Sequence, residues 1–341
     1  MRRGIIAGAL AAVAATGAVA VDQRVRRVRR TGVATLDMFA APQPDRAGFV
    51  RADDGVQLYY EEDGPADAPM TVVLLHGFCQ NRDDLLFQRR ALIDRFGGRV
   101  RIVGFDLRSH GKSQRSDPEH ASIEQLGADL LTILETLVPT GPVVLIGHSM
   151  GGMTIFALAD SHPELFGARI TGVGLIGTST GKVAALSLGV PAGLARLSDP
   201  VVAFALRGAH SRVAFVERGR ARVTDVAWSF VRRLAFGPDV DPALVEFITQ
   251  MIGATPVDVI AEFYPALMSN EKQAAVTVLA DLPVAIVCGA DDLITPVEHS
   301  RAIADQLPLA ELVVVPDTGH QVHMERPELV NPALLRLVTP A

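Results

Sequence analysis

Apolar residues recur along this chain in two rhythms. Short β-branched runs at 71–75, 101–105, 143–146, 173–176, 284–287 and 312–315 have the composition of strands covered on both faces. Between them, 84–96, 123–138, 150–161, 297–307 and 327–337 carry apolar residues at helical spacing. Ahead of these, 49–51 and 56–60 flank Asp53-Asp54-Gly55 and read as an antiparallel hairpin. The alternation predicts an α/β chain: a mainly parallel eight-stranded sheet with helices on both faces, its ligands bound beyond the carboxyl ends of the strands. The rhythm stops at 178–270, which predicts an inserted helical cap between core segments 48–177 and 271–341.

Chemistry enters at Val143-Val144-Leu145-Ile146-Gly147-His148-Ser149-Met150-Gly151-Gly152, where a buried strand runs into a serine with glycines two residues to either side. Alone, this is either a glycine-rich strand-to-helix turn or a nucleophile elbow. A serine hydroxyl needs an imidazole to take its proton, and the imidazole needs a carboxylate to fix its tautomer. Among nine histidines, His76, His110 and His148 sit where structural roles are expected. His320 follows the 312–315 run and the turn Pro316-Asp317-Thr318-Gly319, on a loop able to reach Ser149; His323, three residues on, is its competitor. The carboxylate comes from the turn after 284–287, as Asp291 or Asp292, and the second acid is the better placed to point inward.

In His76-Gly77-Phe78, the loop 106–113, the elbow, and Asp292 with His320 in their turns, the chain resembles the α/β-hydrolase superfamily, in its serine-nucleophile, capped, esterase-like or lipase-like members. The order Ser149, Asp292, His320 is that of its triad. The resemblance implies an oxyanion hole from the backbone N–H groups of Phe78 and Met150. It also implies hydrolysis of a carboxylic ester through an acyl-enzyme. Relatives with the same serine cleave amides or carbon–carbon bonds, transfer acyl groups or make peracids, and a non-catalytic ligand-binding protein on this fold is the rival from another class. No cofactor is required.

The cap carries apolar clusters at 201–206, 228–231 and 247–252, which either roof an apolar acyl pocket or bury the cap helices against one another. Arginines between Arg207 and Arg233 form a solvated face, or else an anionic or membrane-surface contact. At the N-terminus, residues 4–21 are apolar behind Arg2 and Arg3. Ala18-Val19-Ala20 favours a cleaved signal, with secretion. The arginines at 24, 26, 27, 29 and 30 favour an uncleaved anchor at a membrane surface, with the catalytic domain on the cytoplasmic side. Residues 1–30 are therefore read as anchor or signal plus basic segment, and 31–47 as linker.

Composition adds little. Hydrophobic residues at 49% against 21% charged supply an ample core, and a net charge of -6 gives no reason to expect a nucleic-acid partner. The two cysteines, Cys79 and Cys288, form no metal-ligand cluster or disulfide framework.

Overall fold

The computed structural model describes residues 39–181 and 220–339. The apolar and basic N-terminal segment, the 201–206 cluster and the arginines from Arg207 to Arg218 lie outside the described residues.

Eight strands form one sheet: β1 (Arg46–Arg51), β2 (Gln57–Asp63), β3 (Thr71–Leu75), β4 (Arg101–Phe105), β5 (Val143–His148), β6 (Ile170–Ile176), β7 (Val284–Gly289) and β8 (Ala310–Val315). Their spatial order is β1-β2-β4-β3-β5-β6-β7-β8. Strand β2 runs antiparallel to both neighbours, and every other pairing is parallel. The sequence places the opening hairpin correctly, but β2 continues to Asp63 because Glu61, Glu62 and Asp63, polar enough to read as loop, are buried against arginines. Arg89 binds both Asp63 and Glu61, and Arg101 binds Glu62 at 2.5 Å.

The described helices are α1 (Leu86–Phe96), α2 (Ile123–Leu137), α3 (Met150–Ser161), α4 (Arg220–Ala235), α5 (Pro242–Ala254), α6 (Val257–Met268), α7 (Val297–Ala304), α8 (Val322–Glu325) and α9 (Pro327–Arg336). Strand β5 shows why two helical layers are needed. Its fully buried residues alternate, Val143 and Leu145 packing with Leu130 and Ile133 of α2, Val144 and Ile146 with Leu92 of α1 and Leu334 of α9. Helix α2 starts where Ser122 accepts a hydrogen bond from the Gln125 N–H, an N-cap that satisfies one orphan donor.

Between β6 and β7 the described chain is helical. Helices α5 and α6 meet at a bend of 97°, where Thr255 and Pro256 interrupt the backbone ladder. Trp228, Val231, Leu244 and Ile248 pack together with Leu86 of α1 and Met324 of α8, so part of the cap's apolar content buries the cap against the core. Arg232 donates to the carbonyls of Gly237 and Pro238 and closes the end of α4.

His76, His110 and His148 are among the histidines fully enclosed beneath the carboxyl edge of the sheet. His76 donates from Nδ1 to the Gly77 carbonyl and accepts the Leu107 N–H at Nε2, the pattern of a neutral ring. Burial holds His76, His110 and His148 down at about 4, about 3 and about 4, from an ordinary 6.5. Below pH 6.5 the unfolded chain takes up protons that these folded rings refuse, so stability is complete above that value and is lost as the pH falls toward 4. Each ring contributes up to about 1.4 kcal/mol per pH unit in that window. Urea unfolding across this range should show a steep acid-side decline beginning well above the carboxylate range; a flat profile would show that the rings are free to charge in the folded state.

Candidate active site

Strand β5 ends one residue before Ser149, and α3 begins one residue after it. Ser149 has φ 51° and ψ −115°, a left-handed conformation that a non-glycine residue adopts only when its surroundings impose it. The two glycines impose it. A Cβ on Gly147 would lie 2.5 Å from the Gly151 carbonyl carbon, and one on Gly151 would lie 2.3 Å from the Leu75 oxygen, so β5, α3 and β3 approach too closely for any side chain. The Ser149 N–H donates to the Ile176 carbonyl at 2.9 Å, and its own carbonyl accepts from the Thr178 hydroxyl at 2.7 Å. The backbone is thus clamped while the side chain faces a cavity.

Asp292 lies in the loop after β7. Its Oδ1 accepts the N–H groups of Ile294 at 2.8 Å and Thr295 at 2.9 Å, and its Oδ2 accepts the Thr295 hydroxyl at 2.8 Å. The remaining contact, also at 2.8 Å, is to His320 Nδ1. Burial alone would raise this carboxyl; the facing His320 and the Thr295 donors bring it below its ordinary 3.8. An ionised carboxylate only accepts, so the proton between them sits on His320 Nδ1, leaving Nε2 with its lone pair. Asp291, by contrast, is exposed, and its N–H is engaged by the Thr318 carbonyl. His323 does not face Asp292: its Nε2 points at Asp84, 3.0 Å away.

Ser149 and His320 line one cavity of about 300 Å³ together with Phe78. Its remaining walls are largely apolar, with Met153 from α3, Phe230 and Val231 from α4, Ile252 from α5, and Ile260 and Leu267 from α6. Of the apolar cap clusters, then, Trp228 and Ile248 serve packing while Phe230 and Ile252 face the cavity. Neither the Phe78 nor the Met150 N–H meets a backbone acceptor among the described residues. Met150 opens α3, where orphan donors and the helix dipole favour negative charge.

Sequence reasoning missed Thr295 and Thr178, which hold the acid and the serine backbone. Thr295 stands three residues after Asp292, the spacing at which an aspartate caps its own turn, so that signal was available. It missed Asp84 as well, which gathers His148 and His323 in a buried cluster with metal-ligand chemistry. Both rings meet that carboxylate at 2.7 and 3.0 Å, hydrogen-bond distances that satisfy the group internally. Cys79 and Cys288 are free and buried, and burial pushes the Cys79 thiol up, so it is no thiolate at neutral pH.

Comparison with known proteins places this architecture. The dihydrolipoyllysine-residue acetyltransferase component of the acetoin cleaving system of Pseudomonas putida is 27% identical over 343 residues, spanning 96% of this chain and 79% of that protein. The sn-1-specific diacylglycerol lipase ABHD11 of Mus musculus is 27% identical over 78% of this chain and 80% of its own length. A thermophilic esterase from Thermogutta terrifontis, of known structure, superposes with a TM-score of 0.66 at 27% identity, covering 86% of this chain and all of that one. The profile of the alpha/beta hydrolase family matches residues 72–333, well over half of the sequence, and the chain belongs to that family.

Proposed function

We propose that the protein is a serine hydrolase that cleaves a carboxylic ester with an apolar acyl group. The observation that carries this reading is the 2.8 Å contact of His320 Nδ1 with Asp292, with Ser149 and His320 on the wall of one apolar cavity. Support comes also from relatives named as an esterase and a lipase.

Ser149 Oγ attacks the ester carbonyl as its proton passes to His320 Nε2, and the Asp292 carboxylate stabilises the imidazolium. The N–H groups of Phe78 and Met150 bind the oxyanion; one such donor is worth about 3 kcal/mol to the transition state. Collapse returns the proton to the departing alcohol and leaves an acyl-Ser149. Water, deprotonated by His320, then releases the acid and restores the serine. Acyl transfer is the second reading, favoured by the acetyltransferase name of the Pseudomonas putida relative. It differs only in that an alcohol or thiol replaces the water.

A fluorophosphonate probe should label Ser149, which a non-catalytic binding protein would not allow. Ser149→Ala and His320→Ala should each lower ester hydrolysis by at least about a thousandfold with the fold intact. Asp292→Asn should be severe and Asp291→Asn mild. If His323→Ala abolished turnover while His320→Ala preserved it, the base would be misassigned.

The apolar cavity supports an expected substrate preference. Each further methylene buried against Phe230, Ile252 and their neighbours should improve binding by up to about 0.8 kcal/mol until the space is filled. A series of acyl esters should therefore show kcat/KM rising with chain length and then levelling or falling. A flat series, or a preference for short polar acyl groups, would remove the apolar-ester assignment.

The N-terminal residues extend the proposal to location. The apolar 4–21 segment followed by five arginines between 24 and 30 is read as an anchor holding the enzyme at a membrane. The full-length protein should sediment with membranes and resist extraction by high salt. A soluble mature form beginning at Val21 would establish secretion instead.

A further inference from the structure

We propose that the buried carboxylate of Asp84 is a positioning residue for the reaction, holding the oxyanion loop, the nucleophile elbow and the segment after His320 in register from beneath; the proposal rests on the roles given above to Ser149 and His320. Asp84 lies in the 3-10 turn Arg82–Leu85 ahead of α1 and has no solvent exposure. Its Oδ2 accepts the Gly77 N–H at 3.0 Å and meets His148 Nδ1 at 2.7 Å. Its Oδ1 meets His323 Nε2 at 3.0 Å. Each of these partners is tied to the chemistry: Gly77 precedes Phe78, His148 precedes Ser149, and His323 follows His320 on α8.

One charge therefore faces a loop, the end of β5 and helix α8, with His148 64 positions from Asp84 and His323 239 positions away. Burial would raise the Asp84 carboxyl, but His148 and His323 draw it well below 3.8, so it is an ionised acceptor and the facing ring nitrogens carry the protons. The His148 ring is packed on every side. Its centroid lies 4.8 Å from that of His320 and 4.2 Å from that of His323, and its Nε2 is 3.2 Å from the His320 carbonyl oxygen. A Cβ on Gly77 would come within 2.8 Å of its Nδ1.

A buried carboxylate without donors is costly, so moving any one of the three segments away from Asp84 leaves a charge under-satisfied in a buried site. That restoring force acts on the Phe78 amide, on Ser149 and on His320 together. It keeps the oxyanion donors and the base in fixed relation to the nucleophile, which transition-state stabilisation needs and substrate binding in the apolar cavity does not.

The test uses the full-length protein and reads two quantities from fluorophosphonate labelling of Ser149: the rate constant and the final amplitude. An asparagine at 84 cannot accept from all three segments. Asp84→Asn should lower the rate constant at least about tenfold at full amplitude, and should lower kcat for an ester with KM changed less than about twofold. Partial unfolding does the reverse, lowering amplitude at an unchanged rate constant. Conservative variants supply the rescue: His148→Asn and His323→Gln retain an amide donor in place of Nδ1 and Nε2, and each should recover most of the rate that His148→Leu or His323→Leu loses. A wild-type rate constant in Asp84→Asn, or a loss confined to amplitude, overturns the proposal. Should Asp84→Asn fail to fold, equal rates within each histidine pair overturn it. A wild-type chain that does not label removes the Ser149 reading, and this proposal with it.

Discussion

The close approach of β5 and α3 to β3 is the constraint on which the rest of the structure depends. With no room for a Cβ at Gly147 or Gly151, the chain between them can turn only through a left-handed residue, and Ser149 occupies that place at φ 51°. Such a conformation costs on the order of 1–3 kcal/mol and persists only where the surroundings over-determine it. Here they do so with the Ile176 carbonyl on one side and the Thr178 hydroxyl on the other, both from the end of the neighbouring strand. The strain also lifts the serine clear of its own helix and leaves the Met150 N–H, the first of α3, beside it.

Around this turn the protein separates two environments. Below the sheet edge polar groups are dense and two buried carboxylates are well supplied with partners: Asp292 has four contacts, and Asp84 joins two rings and a backbone N–H. Above it, the cavity wall is contributed by apolar side chains of the cap. The arrangement matters because a hydrogen bond or charge aimed at a reacting atom is worth more where water is absent, and the same absence makes any unpaired group expensive. The apolar roof and the two partnered carboxylates beneath it are two halves of one requirement.

Much of this was legible in the sequence because it is local. The β5 run, the glycine spacing and the following helix are contiguous, and α3 spans the residues its periodicity predicts. Asp292 was preferred to Asp291 because the loop must reorient before the helix that begins near Pro296, and in the structure the inward acid is the one whose Oδ1 receives Ile294 and Thr295. What was illegible is tertiary. The extension of β2 through Glu61, Glu62 and Asp63 depends on Arg89 and Arg101, tens of residues away. Asp84 stands in a turn of polar residues, Arg82 to Asp84, where nothing nearby announces burial. His323 posed the same difficulty in reverse. Its spacing from His320 made it a competitor for the base, whereas its contact with Asp84 gives it a different partner.

The cap shows where pattern reading stops for a physical reason. An apolar side chain lowers its free energy by leaving water, whether it enters a helix interface or a cavity wall, so composition does not distinguish Trp228, which packs against α5, from Phe230, which lines the same cavity as Ser149. Only direction around the helix separates them, and two residues on an α-helix differ by about 200°. That rotation sends Trp228 toward the packed cluster and Phe230 toward the cavity. A two-residue shift in the register of α4 would therefore bring Phe230 to the position of Trp228, or Trp228 to that of Phe230, so the shape of the cavity depends on how α4 is fixed at its end, where Arg232 binds the Gly237 and Pro238 carbonyls and the Gly237 N–H in turn binds Glu325, just beyond His320 and His323.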